Sequence, residues 1–278
     1  MKKSGLLICL SAAAVTLSVV LFTAGCHKGN SPEDTGYAAD HATSEQTFND
    51  VQAISDNAAN VSAGPLGYKT SAGGCATVTK TPPTPTTPGV MTIDFGSSDC
   101  TCHDGRKRRG KIIVSYTGGY ADSGSVHTIT FDNFYQNDNK VTGTKTVTNM
   151  GHNSSGQPYF NIHVSGSVTL NGGGTVSATW DRVRTWTAGY NTPTYMDDDV
   201  YQITGSGTLT RANGKVINIS ITAPLVIANN CKWIEAGSVT FEVATGQSRV
   251  VNYGDVAACD DQATVTLANG TKKDITLP

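Results

Sequence analysis

The sequence predicts an all-β protein: a long antiparallel meander, curved into a half-barrel or folded into a sandwich, with one short N-terminal helix. Three observations predict it. Beyond residue 90, apolar and polar residues alternate with period two in stretch after stretch, a rhythm that extended backbone sorts onto two faces. Asn-Gly pairs at 171–172, 213–214 and 269–270 fall between such stretches, where tight hairpin turns need the left-handed conformation. Only 15% of residues are charged, while Thr, Ser, Asn and Gly abound, the composition of solvated sheet faces and turns.

The N-terminus reads as an export signal. Lys2 and Lys3 precede an uncharged, mostly apolar run from Leu6 to Phe22, followed by the small residues Thr23, Ala24 and Gly25. A charged start, an apolar middle and small residues at the cut define a cleavable leader. The segment Leu21-Phe22-Thr23-Ala24-Gly25-Cys26 resembles a bacterial lipobox, with Thr23 where leucine is usual. That resemblance implies cleavage after residue 25 and a diacylglycerol thioether on Cys26. Each methylene buried in a bilayer stabilises attachment by about 0.8 kcal/mol, so several acyl chains on one residue form a lasting anchor. Residues 1–25 contain two of the 20 basic residues and none of the 22 acidic ones, leaving a mature charge of −4. That argues against general nucleic-acid binding, which requires many cations to displace counterions.

Past the leader, the polar stretch 26–43 is expected to be a flexible tether. Phe48, Val51, Ile54 and Ala58 recur at helical spacing behind Ser44, a candidate N-cap, and predict one short amphipathic helix over about 45–58. The Pro-rich segment Thr81–Pro88 lacks the donors of a sheet ladder and reads as an extended connection. The clearest strand is 160–170, with Phe160, Ile162, Val164, Val168 and Leu170 against Asn161, His163, Ser165, Ser167 and Thr169. The same alternation marks 217–221, 239–243 and 264–267. With no helical crossovers visible, neighbouring strands are antiparallel.

A weak repeat links the two ends of the β region. Ile93-Asp94-Phe95-Gly96 before Cys100 recurs as Val251-Asn252-Tyr253-Gly254 before Cys259, with Cys75 and Cys231 upstream. In an extracytoplasmic protein these cysteines can form disulfides, and the repeat pairs Cys75 with Cys100 and Cys231 with Cys259. Cys102 is either an alternative partner for Cys75 or a thiol. The cluster Cys100-Thr101-Cys102-His103-Asp104 has metal-ligand chemistry, but no second cluster converges on it to complete a tetrahedral site. No metal and no cofactor are therefore expected.

The remaining candidates are surface features. Arg106, Lys107, Arg108, Arg109 and Lys111 form a basic run that could grip an anion, or simply keep a sheet edge soluble. Asp197, Asp198 and Asp199 lack the alternating spacing of a calcium loop and read as a solvated turn. Trp180, Arg182, Arg184 and Trp186 share one parity, with Tyr190 just beyond. Exposed, Trp180, Trp186 and Tyr190 would suit stacking on a glycan; buried, they are core. The histidines at 103, 127, 152 and 163 are scattered and show no nucleophile–base order.

Two stretches carry a further resemblance. Ile93-Asp94-Phe95-Gly96, Cys100, Asp104-Gly105-Arg106 and Gly110-Lys111-Ile112-Ile113-Val114 form one. Cys231-Lys232-Trp233, Tyr253-Gly254, Cys259-Asp260 and Ile275-Thr276-Leu277 form the other. Together they make most of 45–278 similar to uncharacterised exported lipoproteins of Bacteroidota-type bacteria. The resemblance implies outer-membrane attachment and paired cysteines, and brings no activity or catalytic residues. The expected function is a lipid-anchored cell-envelope protein, a non-catalytic binding or structural module for a glycan or envelope protein. The alternative is an extracytoplasmic hydrolase whose active site has an unfamiliar motif.

Overall fold

Period-two alternation becomes a single sheet. The computed structural model describes residues 33–60, 64–66, 75–192, 195–244 and 247–277. The leader, Cys26 and the first part of the expected tether lie outside them. Among the described residues there is one α-helix, α1 (Glu33–Asn60), followed by fifteen strands. The first strands are β1 (Gly64–Leu66), β2 (Ala76–Thr81), β3 (Gly89–Asp94), β4 (Cys100–Thr101) and β5 (Lys107–Tyr116). The long central ones are β6 (Val126–Gln136), β7 (Asn139–His152), β8 (Pro158–Thr169), β9 (Thr175–Ala188), β10 (Val200–Thr210) and β11 (Val216–Ala228). The last are β12 (Ala236–Ala244), β13 (Gln247–Asn252), β14 (Gln262–Thr266) and β15 (Lys272–Thr276).

Every pairing is antiparallel, and sheet order follows chain order from β1 to β15, with β4 alone off the path on β5. The Asn-Gly turns join β8 to β9, β10 to β11 and β14 to β15. No pairing among the described residues joins β1 to β15, so the sheet is not closed into a barrel.

The sheet curls around α1. Side chains from strands as far apart as β2 and β13 meet this one helix: Lys80 reaches the Ala59 carbonyl, Phe131 and Trp180 meet Phe48, and Phe241 meets Tyr37. Arg249 of β13 lies over the Tyr37 ring. A half-barrel filled by a helix therefore replaces the sandwich option. Tyr37, Ala38, Ala42, Phe48, Val51, Ile54 and Ala58 are all buried. They face the buried alternate residues of β8 (Phe160, Ile162, Val164, Val168) and of β12 (Val239, Phe241). Burying one such large apolar side chain contributes about 1.5–3 kcal/mol.

Two glycines show how the backbone accommodates this. Gly166 of β8 has no side chain because Phe48 occupies the space; an added Cβ would stand 3.0 Å from Phe48 Cε1 and 2.8 Å from the Thr142 carbonyl oxygen. Gly205 of β10 has φ +130° and sits in a bulge between Ile203 and Ser206. A bulge built on glycine bends a strand and lets a sheet coil.

The expected helix is present and longer than its apolar spacing indicated. It begins at Glu33, so residues 33–43 belong to it and not to a tether. The reason is its polar content. His41, Ser44, Glu45, Thr47, Gln52, Ser55 and Asp56 are all buried, yet each breaks an apolar stripe. The repeat is structural: Asp94 and Asn252 each accept the N–H of the glycine two residues on, at 2.8 and 2.7 Å, and Phe95 and Tyr253 are both buried.

One disulfide is as the repeat paired it, Cys231–Cys259. The other corrects it: Cys75 joins Cys102, and Cys100 is the free cysteine. Cys100 is held in β4 opposite Arg108, whereas Cys102 lies past the strand end, 6% exposed, with Cα 5.3 Å from that of Cys75. That separation suits a disulfide.

Candidate functional site

The polar residues of α1 meet a charged lining on the inner wall of the sheet. Arg182 donates to Glu45 at 3.2 Å, and Arg184 donates to Asp56 at 3.0 Å. Lys145 caps the Phe48 carbonyl at 2.7 Å, and His41 Nδ1 lies 3.2 Å from the Tyr253 hydroxyl. Burial alone would raise the Glu45 carboxyl, but Arg182 and His41 outweigh it and hold it at about 2. Burial pushes the Lys145 ammonium down to about 7. These groups are sealed between helix and sheet, and they fix the rotation of α1 in its trough.

The predicted aromatic surface belongs to this interior. Trp180 is 2% exposed, edge-on to Phe48 with Arg182 against its ring, so it is core and not a glycan platform. Arg182 and Arg184 are buried beside it. Trp186 is half-buried, stacked on Tyr201 at 5.6 Å, and its indole N–H donates to Asp199 at 3.2 Å. Tyr190 packs edge-on against Trp186. The three residues therefore do not make an open stacking surface. Asp199 is no solvated turn residue: it is fully buried and also accepts from the Tyr201 hydroxyl and Asn229. Burial pushes its carboxyl up to about 6.

Most of the basic run is neutralised by acidic neighbours. Arg108 donates both terminal nitrogens to Asp104 and Nε to Gln136. Arg109 is shared by Asp99 and Asp138, and Lys111 pairs with Asp94. Lys107 is exposed and has no carboxylate partner among the described residues, and a single ammonium is not a patch that grips an anion. His163 pairs with Asp181 at 2.8 Å on the outer face, both well exposed, with no wall to exclude water.

A concave site lies along an open side of α1. Asn49, Asp50 and Ala53 of α1 form its floor. One wall is the turn between β4 and β5. Cys102 N donates to the Arg106 carbonyl, Gly105 N donates to the Cys102 carbonyl, and Gly105 has φ +76°. The Asp-Gly pair is what this tight hairpin requires. The opposite wall is the β11–β12 loop with Lys232 and Trp233. Arg106 crosses between them: Nε pairs with Asp50 at 3.1 Å, one terminal nitrogen with Asp104 at 3.1 Å, and the other approaches the Lys232 carbonyl at 3.5 Å. It divides the open side into two hollows of about 310 and 380 Å³, both lined by Asp50, Asp104, Arg106 and Lys232.

Each disulfide pins one wall. Cys75–Cys102 anchors the turn that carries Asp104 and Arg106; Cys231–Cys259 anchors the loop that carries Lys232 and Trp233. The two carboxylates differ. Burial raises Asp50 against the pull of Arg106 and Arg108, while for Asp104 the same two arginines outweigh burial and lower it. The indole N–H of Trp233, the Asn49 amide nitrogen and the Gln46 amide nitrogen are buried donors without an acceptor among the described residues.

Of these residues, the sequence had singled out Asp104 as part of the cysteine cluster and Arg106 as part of the basic run. It passed over Asn49, Asp50 and Trp233 as site residues. Trp233 follows Cys231 closely, and that proximity to a cross-link was the available signal. No protein-family model matches the chain, and no curated protein or solved structure is detectably similar to it.

Proposed function

We propose that this chain is a lipid-anchored cell-envelope protein, held by Cys26 and akin to the exported lipoproteins it resembles, that works as a non-catalytic binding module through the cleft beside α1. One observation carries the reading: both disulfides pin the walls of the same cleft. Cross-linked walls are rigid before a ligand arrives, and preorganisation lowers the ordering cost of binding. The leader-like N-terminus supports the address, because disulfides persist outside the cytoplasm.

The test has two arms. Labelled fatty acid is expected to enter the wild-type protein and not Cys26→Ser. Wild-type protein is expected to be retained on cell-envelope fractions, and Ala53→Trp, which fills the cleft, to be retained less. Equal labelling removes the anchor; equal retention removes the cleft.

A hydrolase at the same cleft is the second reading. Asp50 and Asp104 are shifted in opposite directions, as an acid–base pair requires. Against it, both Asp104 oxygens are engaged by arginines. Cleavage of a bound ligand by wild type and not by Asp50→Asn would establish this reading instead.

A further inference from the structure

The cleft's charges and its unmet donors point in different directions, and the difference identifies a ligand class. We propose that the hollow between Asn49 and Trp233 binds a neutral saccharide of one or two rings; this deepens the binding-module reading and rests on it.

The charged groups come first. Arg108 is saturated by Asp104 and Gln136. Arg106 is spread over Asp50, Asp104 and the Lys232 carbonyl. An ionised ligand would have to break these pairs, leaving a half-buried charge without its partner, which is costly. Lys232 is exposed and holds its ammonium 4.0 Å over the Trp233 ring, while the buried groups of the cleft with nothing to bind are uncharged. Asn49 Nδ2 on the floor and Trp233 Nε1 on the wall are buried N–H donors with no acceptor among the described residues. An unmet buried donor is destabilising until an oxygen reaches it. The fitting occupant is therefore rich in neutral oxygen acceptors and carries apolar C–H groups for the apolar part of the lining, Ala53 and Ile227, which is the chemistry of a sugar ring. A hollow of about 310 Å³ lies at the small end of ligand pockets.

Entry follows from the geometry. Both donors are shut off from bulk water, and the two walls of the cleft are joined by the long 3.5 Å approach of Arg106 to the Lys232 carbonyl. That is the weakest link of the Arg106 bridge. A sugar that parts it gains two N–H partners for one poor hydrogen bond.

The experiment uses the full-length protein in detergent. Tryptophan fluorescence is followed against neutral disaccharides and trisaccharides of glucose, mannose and N-acetylglucosamine, and against oligogalacturonate as the acidic counterpart. At least one neutral saccharide is expected to bind and oligogalacturonate is not. Trp233→Phe keeps the ring and removes the donor; Asn49→Leu removes the other donor. Each is expected to weaken binding about tenfold, the scale of one hydrogen bond to a buried donor, with Trp186→Phe as the control that does not. Binding by Trp233→Phe is read by calorimetry and native melting temperature, so loss of signal is not mistaken for loss of binding. The saccharide assignment is overturned if no neutral saccharide binds up to roughly 10 mM, the limit of a useful interaction, or if only the acidic one does. In either case, envelope retention that remains sensitive to Ala53→Trp leaves the binding module standing. Wild-type affinity in both donor variants overturns the assignment too, and places any sugar elsewhere on the surface.

Discussion

At the scale of the residue, the molecule is organised by charges inside and not by charges outside. Glu45 and Arg182 are each about 2% exposed and touch at 3.2 Å. Removing one member of such a pair costs about 3–5 kcal/mol, because the other stays buried alone, whereas replacing both by apolar groups is often neutral. Arg182→Leu is therefore expected to lower the urea midpoint sharply and Glu45→Leu/Arg182→Leu to recover most of it. A wild-type midpoint in Arg182→Leu would show that the pair does not orient the helix. Glu45 also sets a pH dependence. Its folded carboxyl titrates at about 2, below its ordinary 4.5. A depressed acid contributes stability that is complete above the unfolded value and disappears as pH falls through the folded one. Wild type is expected to lose this contribution between pH 4.5 and about 2, and the double variant to lack that limb in a plot of midpoint against pH.

At the scale of the element, the strands were legible and the helix and one cross-link were less so. Phe160 to Val168 declared β8 because every second residue is buried and the rest are wet, a pattern set by the backbone pleat alone. Helix α1 hid its first turns because it is enclosed. His41, Glu45 and Asp56 read as solvent-facing until their partners, up to 212 residues away in the chain, are known. The same long range hid the cleft: Asn49, Arg106 and Trp233 come from three distant segments that only the curl of the sheet assembles. Cys100 and Cys102 could not be told apart by spacing, since the choice depends on where β4 stops. Non-reducing peptide mapping is expected to join Cys75 to Cys102 and to find Cys100 alkylated in the native protein. A Cys75–Cys100 peptide would contradict it. Removing either cross-link is expected to cost about 3 kcal/mol, as closed loops of this size do in the chain-entropy model.

At the scale of the whole molecule, one helix stands where an open half-barrel would otherwise hold water or a ligand. The backbone N–H groups of an enclosed helix exchange only when the enclosure opens. The amides of the central turns of α1, around Phe48 to Asp56, are expected to be among the slowest to exchange, level with β8 and β9. Exchange of those turns ahead of the central strands would mean the helix leaves its trough without the sheet unfolding. There is also a matter of timing in the order of the strands. Neighbours in the sheet are neighbours in the chain, so hairpins can be laid down one after another as a polypeptide emerges. The helix, however, comes out first, and Phe241, Arg249 and Tyr253 arrive near the end. Until they do, Tyr37 and His41 wait uncovered. Loss of the last fifty or so residues would thus unsettle the first element of the protein before the middle, a vulnerability at the far end of the chain from the damage.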